Sequence, residues 1–485
     1  MTSATLPALS DTAPVVVPGF GAAPAAVTRV ARSVAAAIAA ARPEVSGTVA
    51  EVRGLSVTVQ GLAARVGDVI RIGSVAPVPA EVVAVQAQSA ICLPLGPVDG
   101  IGSGDRAVAD GGPLTVAVGD QLLGRVLDGL GRPLDGSALP VGLERVGIDH
   151  TPPDALTRAR VDTPLPLGVR AIDTLTPVGR GQRMGIFAGS GVGKSSLLSM
   201  ITRGTEADIT VLALVGERGR EVREFLEDDL GPEGLRRAVV VVATSDQPPM
   251  VRLRAAFVAT RIAEYFRETG KNVLLLMDSV TRVATAQREI GLSAGEPPTT
   301  RGYPPSVFAL LPRLLERAGS SAVGSVTGLY TVLVEGGDHD EPVADAARSI
   351  LDGHIVLDRK LANSGHFPSI DVLASVSRVS PAVTTAAQRE RATELRSLLD
   401  AHADVKDLVE IGAYVSGTNA RADQALAQWP DIERFLQQPK DSVIPAAESW
   451  AELDRLIDGG SDDTSTAAAD ASAPPAVTVP QVGAR

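Results

Sequence analysis

From Met184 to about residue 380 the chain alternates continuous apolar runs with amphipathic ones. MGIFA (184–188), ITVLALV (209–215), AVVVVA (238–243), NVLLLMD (272–278) and LYTVLVE (329–335) carry almost no polar positions. Such runs suit strands covered by helices on both faces, the pattern of parallel sheets. Between two of them, Val251, Ala255, Val258, Ile262 and Phe266 repeat at helical spacing, and Gly270 ends the pattern. This part predicts an α/β fold with a largely parallel sheet. Ligands of such sheets sit at the carboxyl ends of the strands.

The flanks read differently. Residues 45–112 hold short Val-rich runs broken by Gly, Asp and Pro, which predicts a small barrel or sandwich. VGDQLLGRVLDGLGRPLDG, from Val118 on, has the punctuation of tight loops and reads by itself as a linker. Residues 386–460 are helical in pattern, with ATELRSLL, VKDLVEIGAYV and ADQALAQWPDIERFL. Val27, Val30, Val34, Ile38 and Ala41 predict a short amphipathic helix that Pro43 stops. It either packs on its own domain or docks on a partner. The Pro/Ala/Ser/Thr-rich start and the tail 461–485 read as disordered.

Composition changes this picture little. The net charge of −12 argues against a broad grip on nucleic acid. Cys92 is the single cysteine, so no intrachain disulfide can form, and a reducing compartment suits the chain. No apolar run reaches the length of about 18 residues that a membrane span needs. The Ala-rich stretch near residue 35 is short and flanked by Arg32 and Arg42.

The chemistry concentrates in QRMGIFAGSGVGKS, residues 182–195. An apolar strand breaks into a Gly-rich turn, then Lys194, Ser195, Ser196 and a helical pattern: the order of a phosphate-binding P-loop. Gly189, Ser190, Gly191, Val192 and Gly193 would cradle phosphate with their backbone N–H groups. Lys194 would reach the outer phosphates, and the Ser195 hydroxyl would hold Mg²⁺. Ala188 stands where the strictest pattern has Gly. Two acids end other strands. Asp278, closing NVLLLMD, is placed to hold the Mg²⁺ shell, and Glu217, in LVGERGRE, to orient an attacking water. The expected cofactors are ATP and Mg²⁺.

PSIDVLASVS (368–377) resembles the signature of the α and β subunits of F-type ATP synthases. GERGREVREFLED, LLLMDSVTRVATAQREIGLSAGEPP, RGYPPSVFALLPRLLERAG and SILDGHIVLDRKLANSGHFPSIDVLASVSR resemble the type III secretion ATPases, and most closely the flagellar protein-export ATPases. The resemblance covers roughly residues 45–440. It implies a RecA-like P-loop core over 113–385, preceded by a β-barrel over 45–112 and followed by a helical domain over 386–460. Residues 1–44 then form a disordered segment with a partner-docking helix.

The same resemblance implies a homohexameric ATPase with nucleotide between neighbours. Arg378 matches the arginine such rings offer to the neighbour's γ-phosphate, and a planar guanidinium suits that developing charge. Phe367 matches an aromatic that stacks on adenine, and Tyr303 belongs to a loop facing the pore. The implied partners are a stalk-like regulator, a central-stalk subunit, the export gate, and export substrates or chaperones, with no nucleic acid. The implied place is the cytoplasm, at the inner face of the cell membrane. Alternatives are an injectisome ATPase, a rotary ATP synthase catalytic subunit, a non-enzymatic nucleotide-binding subunit and an RNA-translocating hexamer. The retained Lys194, Ser195 and Glu217 disfavour the non-enzymatic one.

Overall fold

The computed structural model describes residues 44–154, 156–334 and 341–459. The helix expected around Val27–Ala41 and the tail 461–485 lie outside the described residues.

The first alternating segment closes on itself. β1 (Ser46–Arg53), β2 (Ser56–Gln60), β3 (Asp68–Ile72), β4 (Val78–Val85), β5 (Ser89–Pro94) and β6 (Arg106–Pro113) form a barrel in the order β1-β2-β5-β4-β3-β6. Every second residue points inward, as the two-residue period of a strand requires. Val57, Val59, Ile70, Ile72, Val82 and Cys92 fill the interior. Burial pushes the Cys92 thiol up to about 12, so it is packing rather than a nucleophile.

β7 (Thr115–Val118) pairs with β9 (Glu144–Gly147), and between them β8 (Val126–Asp128) joins the edge of the central sheet beside Val240–Val242. The stretch that reads as a linker therefore holds a strand. Three residues are too short to carry a periodic signal, and the Asp128 carboxylate that accepts from Leu130 N gives the stretch its loop-like composition.

The central sheet contains β10 (Arg183–Ala188), β11 (Ile209–Val215), β12 (Ala238–Ala243), β13 (Asn272–Asp278), β14 (Gly319–Ser320), β15 (Ser325–Leu333), β16 (Gly353–Leu357) and β17 (Ile370–Ser377). Its order is β17-β16-β10-β15-β13-β11-β12-β8, with β14 attached to β15. All pairs on that path are parallel except β16 with β17. β15 begins before the expected Leu329 and stops at Leu333, because small buried Ser325, Thr327 and Gly328 hide its start from an apolar-run reading. Gly328 is needed there: a Cβ would lie 2.5 Å from the Tyr330 ring.

Alternate residues of one strand feed two cores. Val211, Ala213 and Val215 of β11 pack with α2 (Pro249–Glu268) and α3 (Val280–Ser293), while Leu212 and Leu214 face the layer of α1 (Lys194–Gly204). That second layer is shared by α4 (Ala386–Glu410), α5 (Ala420–Leu436) and α6 (Ala446–Ile457) through Leu395, Ile432, Phe435 and Leu453. Thr385 starts α4 with a reciprocal capping box to Gln388. The barrel is tied to the core by Arg254 of α2, whose Nε donates to Glu81 of β4 at 2.7 Å. No described helix is long and apolar enough to cross a membrane. The α/β core with a leading barrel and trailing helices is the architecture expected from the sequence.

Candidate active site

β10 delivers the chain to the carboxyl edge of the sheet at Ala188, and α1 starts six residues later. The turn between them works because Gly191 and Gly193 take φ of 75° and 87°, the left-handed region that side chains disfavour. α1 thus presents its amino end, with Gly193 as its cap, toward the sheet edge. Two side chains brace the turn from outside. Ser369 Oγ donates to Val192 O at 2.6 Å, and Arg359 Nη2 donates to Ser190 O at 3.0 Å.

β13 places Asp278 opposite Leu214 at the same edge, and Glu217 lies two residues past the end of β11. Lys194 joins them: its Nζ donates to Asp278 Oδ1 at 2.5 Å and to Glu217 Oε1 at 3.4 Å. Thr331, fully buried in β15, donates its hydroxyl to Asp278 Oδ1 at 2.6 Å. Burial works against the Lys194 charge, but the Asp278 and Glu217 carboxylates outweigh it and hold the ammonium above its ordinary range. Glu217 moves upward, mainly through burial and then through repulsion by Asp278, with Lys194 opposing. A lysine clamped between two acids beside a Gly-rich turn is a charge set ready to be reordered by a polyphosphate.

The residues fit a magnesium ion. Among the described residues no cluster of three or more His, Cys, Asp and Glu could hold a metal by itself. One buried carboxylate, Asp278, and one exposed hydroxyl, Ser195, suit an ion that keeps several waters and binds through substrate phosphates.

Arg282, on the first turn of α3, escaped the sequence reading. Its stem crosses Gly216, where a Cβ would lie 2.8 Å from Arg282 Cβ. The side chain is exposed, and its guanidinium has no hydrogen bond or ion pair among the described residues. The available signal was its place four residues after Asp278 in MDSVTR.

On the outer flank of α1, a cleft of about 610 Å³ is lined by Gly193, Ser196, Met200, Phe367, Gln437 and Lys440. Phe367 is 44% exposed, and its ring lies against Gly193, where a Cβ would sit 3.2 Å from Phe367 Cε1. A flat aromatic beside the P-loop is suited to a planar base. Gln437 and Lys440 follow α5, so the helical domain contributes to the cleft.

Arg378 is not part of this constellation. β17 runs antiparallel to β16, pairing Ile370 with Leu357 and Ser377 with Gly353. Leu357 also pairs with Ala188, so Ile370 lies at the P-loop end and Arg378 at the opposite end. From Asp352, which accepts from Arg378 N, to Leu357 the sheet spans roughly 17 Å at about 3.3 Å per residue. The Arg378 side chain is exposed, with no hydrogen bond or ion pair among the described residues. Tyr303 is packed inward, edge-on to Phe308 at 6.2 Å and under Arg288 at 5.0 Å, rather than presented to solvent.

Comparison with known proteins places this geometry. Residues 168–377 match the ATP synthase alpha/beta family, nucleotide-binding domain, and residues 384–455 match the T3SS EscN ATPase C-terminal domain. The flagellum-specific ATP synthase of Bacillus subtilis is 52% identical over 84% of this chain and 94% of its own length. The type 3 secretion system ATPase of Xanthomonas euvesicatoria is 49% identical over 84% of this chain and 92% of its own. The assembled ATPase EscN of enteropathogenic E. coli, solved in complex with its central stalk EscO, superposes with a TM-score of 0.80 at 45% identity, covering 85% of this chain and all of that one. The chain belongs to the ATP synthase alpha/beta family, among the flagellum-specific ATP synthases and type III secretion ATPases, and is an ATP-hydrolysing enzyme.

Proposed function

We propose that the chain is the Mg²⁺-dependent ATPase of a flagellar protein-export apparatus, working as a homohexameric ring at the inner face of the cell membrane. The observation that carries the reading is the separation of two halves of one site. Lys194, Glu217 and Asp278 meet at one end of the sheet, while the Arg378 side chain stands at the other with no partner among the described residues. A guanidinium so far from its own P-loop serves a neighbour's.

The steps follow from the side chains. The P-loop amides and Lys194 take the phosphates, so Lys194 leaves its two carboxylates. Asp278 and Ser195 would hold the cation, which when bound would neutralise phosphate charge. Glu217, freed from Lys194, accepts a hydrogen bond from water and aligns it with the γ-phosphate. Arg282 lies over Gly216 beside Glu217 and adds positive charge on that side. Arg378 of the adjacent subunit stabilises the charge that develops as the bond to the γ-phosphoryl group breaks. Phe367 stacks on the base. A central stalk would bind the ring, as assembled EscN is solved in complex with its central stalk EscO, with a stalk-like regulator, export gate, and substrates or chaperones beyond it. The loop AGSGVGKS and Tyr303 in GYPPSVF resemble the flagellar rather than the injectisome branch, which favours the flagellar reading.

ATP hydrolysis followed against protein concentration, with and without Mg²⁺, tests the reading. Specific activity should rise with concentration as rings form and vanish with chelator. Activity per chain that is independent of concentration, from a species sized as a monomer, would overturn it.

A further inference from the structure

β10 carries the P-loop at its carboxyl end; the residue just before its amino end, Gln182, has a different task. Gln182 is fully buried, yet it lies outside the P-loop. Its Oε1 accepts from Gly179 N at 2.9 Å, closing the turn that leads into the strand. Its Nε2 reaches Ser377 Oγ at 3.2 Å and Asp352 O at 3.4 Å. The orientation of the amide is fixed by these partners, since Gly179 N can only donate and Asp352 O can only accept. The Ser377 hydroxyl in turn donates to Pro177 O at 2.7 Å. Asp352 O also takes the backbone N–H of Arg378 at 2.9 Å. Asp352 is in turn held by Arg183, whose Nε and Nη2 both lie 3.0 Å from its carboxylate.

Every donor contact of the Gln182 amide therefore lands on a group that frames Arg378. Ladder pairing already holds Ser377 against Gly353, so the amide is not needed to keep β17 in the sheet. What it adds is a fixed direction at the last residue before the exposed guanidinium. A long arginine on a loose strand end would sample many directions, and a misplacement of about 1 Å costs on the order of a hundredfold in rate.

We infer that Gln182, with Ser377, is a positioning residue for the adjacent subunit's reaction: it aims Arg378 across the interface while leaving its own chain's P-loop untouched. The inference rests on the reading of Arg378 as a finger acting in trans. It assigns to the start of the P-loop strand a role in the neighbouring site.

The test uses full-length Gln182→Leu, which keeps side-chain bulk and removes the amide, and Ser377→Ala, which removes one hydroxyl. Each is assayed alone and mixed with Lys194→Ala, whose P-loop is dead but whose Arg378 is intact; assembly is checked by size. Alone, Gln182→Leu should lose about 10- to 100-fold in kcat. Its affinity for a fluorescent ATP analogue should stay within about twofold of wild type, because its own cradle is unaltered. In mixed rings its intact P-loop faces a well-aimed arginine, so activity per Gln182→Leu chain should rise above the unmixed value. Ser377→Ala should behave alike with a smaller loss, and it decides the matter alone if Gln182→Leu does not fold. A defect in the chain's own site cannot be cured by a neighbour with a dead P-loop. The parallel mixture of Arg378→Ala with Lys194→Ala separates the two claims. If that control recovers activity and the Gln182 and Ser377 variants do not, the positioning role is wrong and the finger stands. If none recovers although subunits exchange, the finger reading is wrong and this inference falls with it.

Discussion

Thr331→Val removes one hydroxyl from the interior of β15 and nothing else of similar size. The hydroxyl has a single proton and two acceptors in reach, Asp278 Oδ1 at 2.6 Å and Met277 O at 3.3 Å, and the shorter, charged contact takes it. A hydrogen bond to a charged group contributes about 1.5–3 kcal/mol. Valine fills the same volume, so no cavity term adds to this, and the loss falls on Asp278. The carboxylate keeps Lys194 in the nucleotide-free enzyme, but once Lys194 moves to phosphate it has lost its fixed neighbour. Stability should drop by about that 1.5–3 kcal/mol, a shift of a few degrees in Tm. The Mg²⁺ concentration for half-maximal hydrolysis should rise too, by about 10-fold or less at about 1.4 kcal/mol per decade, because the bond is lost from the nucleotide-free state as well and the cation feels only the difference. Calorimetry and a Mg²⁺ titration at saturating ATP read the two effects. An unchanged Tm together with an unchanged Mg²⁺ requirement would refute the placement of Asp278 as a cation-holding group braced by Thr331.

Other outcomes follow from the same contacts. Lys194→Met should cut ATP turnover by about 10- to 100-fold or more, as a charged contact to phosphate is lost; turnover within about twofold of wild type rules out its role. Glu217→Gln keeps shape and removes the accepting charge, so nucleotide binding measured by fluorescence should survive while turnover falls; joint loss would mark a structural acid. Glu264, buried in α2, is pushed up by burial, but the Arg317 hydrogen bonds at 2.8 and 2.7 Å and the nearby His150 outweigh this and hold its carboxyl below the ordinary 4.5. Its stabilisation is therefore fully present above that ordinary value and is lost as pH falls through the lower folded one. Glu264→Gln should lower stability by about 3–5 kcal/mol at neutral pH, because Arg317 stays buried without its partner. The gap from wild type should narrow in acid melts; a gap constant from pH 7 to pH 3 would contradict the assignment.

The strands of the core were legible because their runs are apolar on both faces, and β11, β12 and β13 begin and end where those runs do. β8 was not, because three residues carry no period and its neighbour Val240 lies far along the chain. Asp278 and Glu217 were nameable as acids at or just past strand ends, and Lys194 as the lysine that opens the helix after the Gly-rich turn; the structure brings these three together. Their supports were not nameable: Thr331 is remote in sequence from Asp278, and Ser369 from Val192. Nothing local distinguishes a threonine that braces a carboxylate from one that fills a strand. Tyr303 reads as a loop residue because Gly and Pro surround it, yet Phe308 and Arg288 draw its ring inward. Gln437 and Lys440 enter the cleft beside Phe367 only through the packing of the helical domain.

The central claim is that each site is completed by the next subunit, and one mixing experiment tests it directly. Arg378→Ala and Lys194→Ala should each be nearly inactive, while Arg378→Ala retains most of its nucleotide affinity. Mixed, an intact P-loop from one chain meets an intact Arg378 from another. Hydrolysis should return, grow with protein concentration and peak near equal proportions. An arginine acting on its own chain's nucleotide cannot give this result, because every Arg378→Ala chain lacks it whatever its neighbour. Proven subunit exchange with no hydrolysis recovered at any ratio would contradict the account.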